Sequence, residues 1–411
     1  MELSCSVSWR RIPYSVQSHS PVSMLTTLAV ANYRSLCDLV LPLGQLNIIT
    51  GANGSGKSSV YRALRLLAET AQGRIITALA HEGGLPSTLW AGPEEISRAM
   101  RAGEVPIQGT RRQKISGLKL GFSSDTLGYL IQLGMPNRDP AAASAFLLDP
   151  EIKHESIWAG EFLRRASQLI DRTNAIVKLK QGNGWDVLDS HLAGFDSMLT
   201  QLADPHNAPE MLQLREQVRS WRFYDHFRTD ADAPARRPQI GTLTTCISDD
   251  GHDLAAALQT ILEIGDAAGM AEAVDDAFPG ATLEIDTRDG RFEVQMRQPG
   301  LLRPLNAAEL SDGTLRYLLL VAALYSPRPA ELLVLNEPET SLHPDLLPAL
   351  GRLIRKAAAH SQVIVVSHAN RLIATLREHE DCQEFCLEKE FGQTRVMGLR
   401  ELDRPAWHWE V

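Results

Sequence analysis

The run GANGSGKSS, Gly51 to Ser59, constrains this chain more than any other feature. It fits G-x-x-x-x-G-K-[ST], with Gly51, Gly56, Lys57 and Ser58 at the fixed places. Such a loop needs a strand entering and a helix leaving. Residues 45–50 (QLNIIT) are a short, apolar, β-branched run before it, and VYRALRLLAETA follows with leucines at helical spacing. Glycines let the backbone curl so that successive N–H groups point at one anion, and the helix N-terminus adds its positive end. In that geometry Lys57 reaches the β- and γ-phosphates, the Ser58 hydroxyl reaches Mg²⁺, and Asn53, Gly54, Ser55 and Ser59 complete the run around the nucleotide. The bland alternative, a flexible Gly/Ser loop, does not account for the strand and helix on either side.

The C-terminal half supplies matching parts. Residues 331–336 (ELLVLN) read as a buried strand that runs into Glu337 and then PETSLHPD. A strand of this kind carries acidic residues to the metal. Position 336 holds Asn where Asp is usual; its carbonyl oxygen accepts a hydrogen bond from metal-bound water but lacks the charge that strengthens it. Glu337 is placed to polarise the attacking water. The expectation is Mg²⁺ binding that leans on Ser58 and the phosphates, with Asn336 a weak contributor and turnover slow. Upstream, in ELSDGTLRYLLLVAALY, Ser311 is an N-cap candidate and Gly313 lets a ligand approach the backbone. Read alone, this is a capped core helix. Residues 361–368 (SQVIVVSH) form another buried strand. The His that ends it, His368, would be merely structural in most strands; parallel pairing would set it beside the γ-phosphate.

Together these segments resemble the ATP-binding-cassette (ABC) ATPases, in particular the stand-alone RecF-like and AAA-type 21 ATPases related to SMC and OLD proteins. The sequence NYRSL (32–36) resembles the opening N-F-[KR]-S-[LFH] of that group, LSDGT (310–314) its signature L-S-G-G-Q, LNEPETSLHP (335–344) its D-E-P-E-x-x-L-H-P, and VSH (366–368) its switch histidine. The resemblance covers roughly residues 25–75 and 300–375. It implies an α/β fold, a P-loop NTPase of ABC-ATPase type with a mixed central sheet, an antiparallel β-subdomain and a helical lobe. It implies ATP hydrolysis with Mg²⁺ in a homodimer paired head to tail, each ATP touching the phosphate loop of one chain and Ser311, Asp312 and Gly313 of the other. By carry-over, Arg34 lies near the nucleotide, Glu337 is the base, residues 341–343 cross the dimer and His368 senses the γ-phosphate. The coupled output it implies is DNA repair or defence. The alternative is an ATP-sensing regulatory subunit that controls a partner effector. A fused nuclease, as in OLD proteins, is not expected in the short stretch after His368. No glutamine-loop residue stands out; Gln72, Gln108 and Gln113 are candidates.

Charge and composition bound the rest. A net charge of −9 argues against a constitutively basic DNA-binding surface, though not against local patches. Arg111, Arg112 and Lys114 form one basic cluster. Arg222, Arg228, Arg236 and Arg237 form another, interleaved with Trp221, Phe223, Tyr224 and Phe227. Solvated charges and buried rings are the commoner outcome of such patterns. No apolar run is long enough for a membrane span, so no membrane partner is expected. Five scattered cysteines suggest a reducing, cytoplasmic setting. Cys382 and Cys386 with His379 make an incomplete ligand set and read as an ordinary strand. Residues 1–23 are either a transit peptide or the product of an upstream start codon, with the working protein beginning near Met24. The expected division is 24–135 for the first half of the ATPase head, 136–245 for a β/helical insert and 246–411 for the second half. Within it, a hairpin is expected over 115–134, strands near 152–158, 174–180, 282–287 and 291–296, and helices over 196–220 and 252–276. No sustained heptads predict long coiled-coil arms.

Overall fold

The runs LLVL, VIVV and, but for Asn47, LNII are apolar without alternation, the mark of strands covered on both faces. In the computed structural model, which describes residues 23–93, 96–106, 117–136, 145–146 and 148–410, they form the middle of a six-stranded sheet. Its order is Arg222–Tyr224, Leu332–Asn336, Gln362–Val366, Leu46–Gly51, Cys382–Glu390, Gln393–Val396. All neighbours are parallel except the last pair, which is antiparallel. Residues 1–22, the candidates Gln108 and Gln113 and the cluster Arg111, Arg112, Lys114 lie outside the described residues.

The two-residue period of a strand sends alternate side chains to opposite faces. Ile49, Leu332, Val334, Ile364 and Val366 join one apolar cluster with Leu64 and Leu67 of the helix Lys57–Thr70. Ile48, Leu333, Leu335, Val363 and Val365 join the other, with Leu318 and Leu319 of the helix Asp312–Leu324 and Leu350 and Ile354 of the helix Leu347–Ala357. Each such side chain, buried whole, contributes about 1.5–3 kcal/mol.

Against the first cluster lies an eight-stranded, wholly antiparallel sheet that runs through residues 25–189. The Gln362 side chain clips the two sheets together. Its Oε1 accepts from Leu25 N at 3.0 Å, and its Nε2 donates to Leu25 O and Gly44 O, each at 2.7 Å. The boundary expected at 135/136 falls between two hydrogen-bonded strands of this sheet, Leu127–Gly134 and Glu151–Ala159. Toward its far end Arg172 and Glu155, both fully buried, pair at 2.6 Å, and the Tyr129 hydroxyl donates to the same carboxylate.

Several local expectations change. Gln168–Thr173 and Gly184–Asp189 are strands that polar composition concealed. The helix expected over 196–220 is two, Met198–Gln201 and Pro209–Ser220, and ends before the edge strand Arg222–Tyr224. The helix expected over 252–276 breaks at Gly265, after which the Asp266 carboxylate caps Ala267–Ala277. Among the described residues no helix is long and apolar enough to cross a membrane.

Candidate active site

The phosphate loop is shaped by what stands behind it. Gly51 turns at φ 138, where any Cβ would collide with the Leu387 carbonyl oxygen of the neighbouring strand. Gly56, at φ 112, caps the helix Lys57–Thr70, and a Cβ there would strike the Thr394 hydroxyl. Thr394 Oγ1 donates to the Ser55 carbonyl at 2.7 Å and lies 2.8 Å from Ser35 Oγ, tying the loop to the turn between the strands Leu25–Tyr33 and Leu36–Pro42. Lys57 is buried, and its ammonium donates to the carbonyls of Gly51 (2.7 Å) and Ala52 (3.0 Å), spanning the curl. Asn53, Gly54 and Ser58 are exposed and Ser59 is half-buried. The Ser55 hydroxyl is buried with no partner.

The tips of three adjacent strands meet at this edge. Asn336 lies opposite Val366, and Val366 opposite Ile49. Beyond that register Glu337 N donates to Val366 O at 2.8 Å and Ser367 N to Ile49 O at 3.2 Å. Two strand spacings, about 10 Å, therefore separate the acidic tip from the phosphate-loop strand, with the switch tip between them. Glu337 is half-buried and sits at φ 47, a left-handed conformation that costs a non-glycine residue about 1–3 kcal/mol. Asn336 Oδ1 is buried with no partner, an acceptor suited to water carried on a metal ion.

Ser311, Asp312 and Gly313 belong to a second face. Ser311 Oγ accepts from Thr314 N at 3.1 Å and caps the helix Asp312–Leu324. With Ser341 and His343, Ser311 and Gly313 line an open cavity of about 670 Å³ in which no phosphate-loop residue takes part. Asp312 is held by Arg236, whose Nη2 lies 2.6 Å from Asp312 Oδ1. The same guanidinium donates to Leu310 O at 2.7 Å, Thr229 O at 2.8 Å and Ala307 O at 3.1 Å. Of the second basic cluster, Arg236 is thus structural, while Arg228 and Arg237 lie in exposed ion pairs. Arg228 pairs with Asp230, Arg237 with Asp232, Arg222 donates to backbone carbonyls, and the four interleaved aromatic rings are buried.

Arg34, at φ 50, reaches Glu82 Oε2 at 2.7 Å. The same carboxylate accepts from the Tyr33 hydroxyl, which burial and then Glu82 push well above its ordinary pKa. The structure therefore ties Arg34 to Glu82, while its neighbour Ser35 joins the phosphate loop through Thr394.

A family model described as "AAA domain, putative AbiEii toxin, Type IV TA system" matches residues 46–374. The chain belongs to this family. The matched range of this AAA-domain chain takes in the phosphate loop, the signature, the acidic tip and His368. A stretch of 44 residues is 50% identical to an OLD nuclease of Thermus scotoductus, covering 11% of this chain and 8% of that protein. Another of 150 residues is 27% identical to the DNA replication and repair protein RecF of Bifidobacterium adolescentis, covering 36% and 35%. The chain thus spans only a small part of the curated relatives it matches. Among solved structures, an SMC head bound to the C-terminal winged-helix domain of ScpA has a TM-score of 0.48 at 12% identity, covering 91% of this chain and 97% of that one. The SMC head of Thermotoga maritima has 0.43 at 13%, covering 91% and 98%. The parallel sheet with its phosphate loop is that of a P-loop α/β fold.

Sequence reading missed three residues that this AAA-domain fold brings to the site: Glu339, Thr394 and Arg236 in its clamping role. Glu339 is buried, and its Oε1 accepts from Ser367 Oγ at 2.7 Å and His368 N at 3.0 Å. A second carboxylate two residues after Glu337 was the available signal.

Proposed function

We propose that this chain is an ATP-hydrolysing switch, Glu337 acting as the base, that ATP closes into a head-to-tail homodimer. The observation that carries the reading is the convergence of the phosphate loop, Asn336, Glu337 and His368 on one edge of the parallel sheet. Water attacks the γ-phosphorus in line and gives its proton to Glu337, while the bond to the β,γ-bridging oxygen breaks and leaves ADP and phosphate. Lys57 gives up its loop carbonyls to hold the β- and γ-oxygens as charge moves onto them. Mg²⁺, held by Ser58 and through water by Asn336, would neutralise phosphate charge when bound. The unpartnered Asn336 Oδ1 supports that fit.

Ser311 and Gly313 lie on a separate exposed face beside Ser341 and His343, which supports their use on a nucleotide bound by a second copy. Neutralisation of Asp312 by Arg236 keeps a carboxylate from repelling that triphosphate. The likeness to the DNA replication and repair protein RecF supports a role in DNA repair. Cys246, Cys382 and Cys386, none in a disulfide, are compatible with a cytoplasmic setting. The Asn at 336 favours the second reading, a slow ATP sensor that controls an effector protein.

The test is turnover with and without duplex and single-stranded DNA, using Glu337→Gln as the control. That variant is expected to bind ATP, lose about 100-fold or more in kcat and accumulate as a dimer with ATP and Mg²⁺. Undiminished turnover would remove Glu337 as the base. Stimulation by DNA separates a DNA-coupled enzyme from a sensor.

A further inference from the structure

Glu339 is a buried carboxylate for which the proposed reaction has no use. Only 8% of the residue is exposed. Its Oε1 makes three contacts, all to the switch tip: Ser367 Oγ at 2.7 Å, His368 N at 3.0 Å and His368 Nδ1 at 3.5 Å. Its Oε2 is buried with no partner. Taking a carboxylate out of water costs several kcal/mol unless its oxygens are satisfied, and here one is not. A cation does face it: burial holds the Arg316 guanidinium below its usual pKa, opposed by the carboxylates of Asp225 and Glu339. Arg316 spends its own hydrogen bonds on the carbonyls of Phe227 and Asp225, and its Nε has none. Fold stability therefore gives a poor account of an acid at this position.

The backbone is bent to bring it there. Glu337 and Ser341 both take left-handed φ, 47 and 66, and Leu342 N donates to Glu339 O at 3.0 Å. The loop turns so that the carboxylate lies against the tip of the strand Gln362–Val366. The His368 side chain itself stays 58% exposed.

We infer that Glu339 is a positioning residue for His368: its carboxylate accepts from Nδ1–H and the backbone N–H, and so turns Nε2 toward the γ-phosphate. The inference rests on the reading of His368 as the γ-phosphate sensor. A contact of 3.5 Å needs only a small ring shift to become a hydrogen bond, and such bonds commonly tighten when substrate arrives. The carboxylate selects the Nδ1–H form, as partners of functional histidines do elsewhere.

The test pairs kinetics with ring spectroscopy on the full chain. Glu339→Ala is expected to lower kcat about 10–100-fold with KM for ATP within about threefold, as loss of a supporting partner does. Glu339→Gln, whose amide oxygen can still accept, recovers most of it. Adding Glu339→Ala to His368→Ala costs nothing further, because the two act as one unit. Independently of any turnover, ¹⁵N NMR above about pH 8, where imidazole is neutral, is expected to show the His368 ring protonated at Nδ1 in the unaltered chain. The resonance is assigned by its loss in His368→Asn, and the proton moves to Nε2 in Glu339→Ala. A ring protonated at Nε2 from the start, or one indifferent to Glu339→Ala, overturns the inference. So does a Glu339→Ala enzyme within twofold of normal kcat while His368→Ala is impaired. A chain that hydrolyses no ATP sinks the ATPase reading instead, and the NMR result still decides the placement of His368.

Discussion

At position 336 one atom separates the amide from the usual carboxylate, and the consequence can be reasoned through. Asn336 Oδ1 is buried and unpartnered, so the acceptor is in place and only the charge is missing. A charged acceptor makes a hydrogen bond roughly twice as strong as a neutral one. Asn336→Asp is therefore expected to tighten Mg²⁺ in the nucleotide complex and to raise kcat by about tenfold, equivalent to ~1.4 kcal/mol of barrier. Mg²⁺ titration of turnover measures both, and an unchanged Mg²⁺ requirement would count against any metal role for position 336. This substitution was legible in the sequence because it interrupts a known spacing. Glu339 stood in the quoted run LNEPETSLHP but its role went unread, and Thr394 was not legible at all. Thr394 touches Ser55 from the other end of the chain, and no local pattern marks a hydroxyl that only the folded sheet brings under the phosphate loop.

At the scale of elements, legibility followed burial. Strands covered on both faces, such as Leu332–Asn336 and Gln362–Val366, declare themselves by unbroken apolar runs. Gly184–Asp189, at the edge of its sheet with Val187 60% exposed, carries no such run. Arg222–Tyr224 was hidden among arginines read as solvated charges. The mistake was to treat arginine as surface charge, when Arg236 is only 8% exposed and serves as a clamp. It joins the segment around Thr229 to the turn at Leu310 that leads into the signature helix. Its two kinds of partner separate by mutation. Asp312 is 61% exposed, so Asp312→Asn is expected to cost less than ~1 kcal/mol. Arg236→Lys keeps the charge but cannot fork across the carbonyls of Thr229, Ala307 and Leu310, and is expected to cost about 2–3 kcal/mol. Urea unfolding of the two variants measures the difference; equal costs would mean the ion pair, not the carbonyl clamp, holds the turn.

The whole molecule poses a question that one chain cannot answer alone: why the signature residues lie on a cavity that no phosphate-loop residue lines. The proposed head-to-tail pairing of two copies would resolve it, because each phosphate loop would then meet the other chain's Ser311. That geometry makes a complementation experiment decisive. A chain carrying Lys57→Ala has no working phosphate loop, and one carrying Ser311→Arg has a blocked signature; as homodimers both are expected to be inactive. Mixed in equal amounts, half the dimers pair one of each, and in every such dimer one of the two sites joins an intact loop to an intact signature. Turnover is then expected to return to about a quarter of the normal rate, the yield of random pairing in a two-fold dimer. A site built within a single chain gives no recovery at any mixing ratio, since each chain keeps its own defect. Recovery that vanishes when Glu337→Gln is added to the Ser311→Arg chain, but survives when it is added to the Lys57→Ala chain, would further assign the base to the protomer that holds the phosphates.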